Sequence, residues 1–230
     1  MANPEEQYQQ IVASLKNKST HKLAVLKQTK QQFQFIKDEA KKLADQLCAE
    51  VDCVDGVTVT FSSKGEFQAE LRFGEDVIVL FLHNDVFDFE KSHSIWKRSY
   101  VEQDRLRAYC GMISIFNFLK TSFEMDRSED IGYLVGRIFI NSENHFFVEG
   151  KKQLGYLFND FGTAVLDHTA IRSILMSAII YCQEFDLIIP PFTSMSEIQV
   201  GQMIDISNRM NMKTGKRLGF QFSWDAETPE

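Results

Sequence analysis

The sequence predicts an α+β fold: a largely antiparallel, meandering sheet of about six or seven strands flanked by helices, with a long helix at the N-terminal end. Three observations predict it. From Lys22 to Val51 there is neither Gly nor Pro and apolar residues recur at helical spacing. The middle of the chain alternates apolar and polar residues with period two, and the last third returns to a helical period. A chain of 230 residues that is 44% hydrophobic, with 20 Phe, has ample material for a core, which excludes global disorder.

Taken in order, residues 4 to 16 read as a short, separate helix, with Ser19 or Thr20 capping the long one that follows. In that helix Leu26, Phe33, Ala40 and Leu47 recur every seven residues, interleaved with Thr29, Ile36 and Leu43. The seam fits pairing with a second helix in a homodimer, and it fits equally the back of a sheet. Val57, Val59 and Phe61 then alternate with Thr58, Thr60 and Ser62, and Phe67, Ala69, Leu71 and Phe73 with Glu66, Gln68, Glu70 and Arg72. Lys64-Gly65 and Gly74-Glu75 supply turns, and Val77 to Leu82 has the continuous apolar character of a strand covered on both faces. Residues 91 to 108 are polar and read as helical or irregular, whereas Met112 to Leu119, Ile131 to Ile140 and Asn144 to Glu149 read as further strands.

Thr163 is the expected cap of a buried helix reaching about Gln183, and Pro190-Pro191 breaks the chain after it. Ser196 to Gln199 has the form of a capping box for a helix stopped at Gly215, and Leu218, Phe220 and Phe222 alternate as a last strand. The expected organisation is a helical extension over 1–51 that packs on the domain or on a partner, one α+β domain over 52–224, and a frayed acidic tail over 225–230.

No basic stretch followed by an apolar one opens the sequence, and the longest strongly apolar run, Ile174 to Cys182, is far short of the roughly 20 residues that cross a bilayer. A cytoplasmic protein without membrane contact is expected. Cys48, Cys53, Cys110 and Cys182 contain no Cys-x-x-Cys pair, which fits reduced thiols. The formal charge of −7 disfavours general nucleic-acid binding, although residues 16 to 42 carry +6 and the rest −13. That asymmetry keeps open a nucleic-acid-binding module acting through the Lys-rich helix.

Two stretches have catalytic residue types. Glu149-Gly150-Lys151 resembles the Glu-x-Lys strand motif of a large nuclease superfamily, in which an Asp and a Glu hold a divalent metal and a Lys stabilises charge at the attacked phosphate. Asp130 is the nearest acid on the strand before it. Placing the preceding turn at Ser142-Glu143 sets Glu149 opposite Gly136, about 20 Å from Asp130, and Gly150 suits a two-residue hairpin loop, so a turn without a metal is the expected reading. The second stretch, His83 to His93, gathers His83, Asp85, Asp88, Glu90 and His93, all metal-ligand types. Strand alternation splits the set between two faces, and Asn84-Asp85 reads as a turn at a solvated strand end.

Trp96, Tyr100 and Tyr109, interleaved with Lys97, Arg98, Arg105 and Arg107, have base-stacking character, diluted by Glu102 and Asp104. Asp160-Phe161-Gly162 and Thr214-Gly215-Lys216 lack the surrounding residues of kinase and phosphate-loop motifs. No cofactor is expected. The leading expectation is a non-enzymatic binding or assembly module acting through a protein partner or as a homodimer. The alternatives are a metal-dependent phosphodiesterase or nuclease at Glu149 and Lys151, a metal hydrolase at His83 and His93, and the nucleic-acid module.

Overall fold

The computed structural model describes residues 3–51, 57–186 and 199–201. Helix α1 (Pro4–Ser14) continues through a π-helical turn (Leu15–Ser19) into α2 (Thr20–Val51) without a break. The expected separation into two helices is thus corrected. Ser19 and Thr20 stay helical instead of capping, and the side-chain cap of this continuous helix is at the start of α1, where Asn3 accepts from the Glu5 amide.

Six strands follow in a plain antiparallel meander: β1 (Val59–Ser63), β2 (Gln68–Phe73), β3 (Asp76–Phe87), β4 (Cys110–Leu119), β5 (Tyr133–Ile140) and β6 (Phe146–Gly150). Gly65 and Gly74 have positive φ in the first two connections, a backbone region that glycine enters without steric cost. Between β3 and β4 lie a 3-10 turn (Ser94–Lys97), α3 (Ser99–Gln103) and a second 3-10 turn (Arg105–Ala108). Short α4 (Lys120–Glu124) joins β4 to β5, and short α5 (Gln153–Leu157) follows β6. Helix α6 (His168–Gln183) closes the described fold, capped by Asp167 on the Ala170 amide and not by Thr163. Asn84 and Asp85 make no turn: β3 runs through them, with its register against β4 shifted between Leu82 and Val86. The capping box, the last strand and the acidic tail expected beyond residue 195 fall outside the described residues, apart from three residues at 199–201.

One face of the sheet is covered by α2 and α6. Phe33, Ile36, Ala40 and Leu43, at spacings of three and four, lie on a core with Leu71, Ile78, Leu80, Ile113, Ile115 and Ile138 from the strands and Ile171, Ile174 and Leu175 from α6. The apolar seam of the long helix is therefore spent on its own sheet. Thr29 brings α2 so near β4 that a Cβ added to Gly111 would lie 2.1 Å from the Thr29 Oγ1. The opposite, outer face is only partly covered. The segment between β3 and β4 packs Ile95, Val101 and Ala108 on Met112, Phe139 and Phe147 at one end, and among the described residues the other end is left open. Among the described residues no helix is long and apolar enough to cross a membrane, and Cys110 is a buried free thiol.

Candidate functional site

Register decides where the sequence-derived candidates sit. The loop from β5 to β6 is held by the Asn141 side chain, which accepts from the Glu143 and His145 amides, and Ile140 pairs with Phe146. Glu149 consequently faces Arg137, one position from the expected Gly136, and both side chains are on the outer face of the sheet. The two form an ion pair at 2.5 Å, and His93 adds a 3.4 Å contact to the other carboxylate oxygen. The Nδ1 of His93 accepts from the Ile95 amide, which leaves the proton on Nε2 to be donated to Glu149. After Gly150 the chain turns, but into α5 instead of a hairpin: Lys152 has the positive φ, and its ammonium pairs with Glu184. Gly150 answers to packing, since a Cβ there would lie 2.7 Å from the Leu154 Cβ.

The nuclease candidates do not converge. Lys151 lies beyond the end of β6, exposed. Asp130 precedes β5, where it accepts from Ser122 and pairs with Arg127 at 3.0 Å. Glu149 and Asp130 each face a guanidinium, so the charge that would hold a metal is already matched. In the second set, His83 contacts Ser114 Oγ at 3.0 Å with its ring edge-on to Phe81 and Phe87. Asp85 and Glu90 are exposed, and Asp88 accepts from the Phe89 amide. Among the described residues no three His, Cys, Asp or Glu side chains form a metal-binding group.

The structure does bring His83, His93 and Glu149 to one face around two residues that sequence reading passed over, Ser114 and Arg137. Burial pushes the His83 imidazole below its ordinary value, Asp85 opposes this and Arg137 adds to it. Ser114 and His83 have the reach of a nucleophile and its base. The hydroxyl, however, is only 2% exposed in the middle of β4, where both ladders engage the backbone, so neither substrate access nor free oxyanion donors accompany it. The signal for these two was available: a single polar residue interrupting each of "MISIFNFL" and "LVGRIFI" on the outward phase.

A different feature has no partner within the described chain. Helix α1 has no buried residue, yet Tyr8 and Ile11 on it and Leu15 at the start of the π-helical turn form a stripe at 60%, 58% and 59% exposure. The body of the protein begins to engage the helix only where Lys18 and Lys22 lie over the Tyr109 ring and Val25 is buried. Glu5 and Glu6 lie in the first turn of this arm and Lys16 and Lys18 at its root. No family model, no curated protein and no solved structure matches the chain.

Proposed function

We propose that the chain is a non-enzymatic assembly module that works as a homodimer joined through its N-terminal arm. The observation that carries this is the uncovered Tyr8, Ile11 and Leu15 stripe on a helix that projects from the body. Continuity with α2 nucleates the helix but leaves its apolar stripe in water, and an equivalent stripe is the simplest cover. An antiparallel pairing about a two-fold axis sets Tyr8 against Leu15 of the partner subunit and Ile11 against Val12 of the partner subunit. It also sets Glu5 beside Lys18 of the partner subunit, so the acidic tip of each arm meets the basic root of the other. The α2 seam, with Phe33, Ile36 and Leu43 at 2% exposure or less, is occupied within its own chain and offers no second helix a surface.

Sedimentation equilibrium across micromolar concentrations tests the reading. Wild-type protein is expected at twice the chain mass, and the double variant Ile11→Glu, Leu15→Glu at the chain mass with the circular dichroism of a folded protein, because both positions lie outside the core of the single chain. A monomeric wild type, or a dimer that survives both substitutions, overturns it. The nuclease, metal-hydrolase and nucleic-acid readings have no comparable geometric support.

A further inference from the structure

We infer that the open end of the outer sheet face is a binding site for a small, uncharged, planar apolar molecule. The inference is independent of the arm. Phe81 on β3 and Phe116 and Phe118 on β4 point outward, with Val79 between them, and α4 and the loop after it raise a wall carrying Phe123 and Ser128. The result is a cleft of about 400 Å³. Its rings are arranged as a recognition surface: Phe118 meets Phe123 edge-on at 5.5 Å and is tilted 6.5 Å from Phe116. Phe81 and Phe123 are each 37% exposed, so two rings that a core would have buried stand open to the cleft. Gly132 makes the layout possible, because a Cβ there would lie 2.1 Å from the Phe118 ring.

Size and charge narrow the ligand. Neighbouring strands are about 4.8 Å apart and same-face residues about 7 Å, so the aromatic floor spans roughly 10 Å each way. That is far below the roughly 800 Å² per partner of a standard protein interface, while the cleft volume falls within the range of small-molecule pockets. The guanidinium groups at the wall are matched, Arg127 by Asp130 and Arg72 by Glu70. The charge left at the mouth is the exposed Asp126 carboxylate, which disfavours anions.

The test is a calorimetric titration of the full chain with 2-naphthol, and with 2-naphthoate as its anionic counterpart. Saturable binding of one 2-naphthol per chain is expected, with 2-naphthoate at least tenfold weaker. Phe81→Ser removes one ring and should weaken 2-naphthol about tenfold, and Ser128→Trp should abolish binding by filling the cleft. Ser128 is exposed and Phe81 is 37% exposed, and native circular dichroism with a cooperative melt establishes that both variants are folded. Absence of saturable binding, equal affinity in the Ser128→Trp protein, or a change in molecular mass on Ser128→Trp overturns the inference, the last by showing that a second copy covers the face.

Discussion

Gly150 has no room for a side chain, and that constraint accounts for the glycine at the centre of the Glu149-Gly150-Lys151 stretch. The Leu154 Cβ lies 2.7 Å from the position a Gly150 Cβ would take, and the backbone of Gly155 also closes on this residue. Gly150→Ala must therefore push α5 away from β6, and we expect a loss of about 1–3 kcal/mol by urea denaturation, the usual cost of overpacking. Lys151→Ala, at an exposed position, should stay within about 0.5 kcal/mol. A reversed order would return weight to the motif itself. At this scale the sequence was readable by residue type but not by environment. Glycine signals a turn and a close approach with the same letter. The one-position register that gives Glu149 to Arg137 depends on how the Asn141 side chain holds its loop. The cleft phenylalanines alternate along β4 as core residues do, and only the incomplete cover of the outer face distinguishes them.

Elements were more legible than their destinations. Alternation and helical spacing located the strands and the long helix, because burial on one face imposes those periods. The heptad seam did not reveal whether it lay on a sheet or another helix, since about three heptads present the same stripe to either. The polar segment before β4 concealed a clamp. The Tyr100 hydroxyl donates to Glu143 at 2.7 Å and accepts from the Asn141 amide, Arg107 lies 4.4 Å over the Tyr100 ring and bonds Glu143, and His145 stacks on the ring at 4.5 Å. This ties α3 to the β5–β6 loop. Burial, then the Glu143 hydrogen bond, pushes the Tyr100 phenol up to about 12, whereas the bond from Tyr100, then those from Arg107, lowers the Glu143 carboxyl. Tyr100 holds its proton more tightly when folded, so its contribution is complete below pH 10 and is lost as pH rises towards 12. Glu143 has the opposite sense: its contribution is present above its ordinary value of 4.5 and is lost as pH falls. Melting temperatures of wild type and Tyr100→Phe should converge at both extremes and differ most between them. A constant difference from acid to alkali would show that the clamp does not titrate.

For the whole molecule, the division of charge bears on the last alternative. Residues 16 to 42 carry +6 against −13 elsewhere, a distribution that would favour nucleic acid if the lysines formed a bare stripe. The fold engages five of the eight. Lys30 pairs with Glu66, Lys42 with Glu39, Lys37 donates to the carbonyls of Gly65 and Glu66, and Lys18 and Lys22 lie over Tyr109. Phosphate would have to compete with these contacts while approaching a body of the same sign. We therefore expect no submicromolar affinity for mixed-sequence DNA or RNA at physiological salt in a fluorescence anisotropy titration. Lys30→Ala should leave the weak residual binding nearly unchanged, since its ammonium is already committed to Glu66. Submicromolar binding that collapses as salt is raised, and that loses about one unit of salt slope in Lys30→Ala, would show that the helix gives up its internal partners to phosphate and would make nucleic acid the partner of this face.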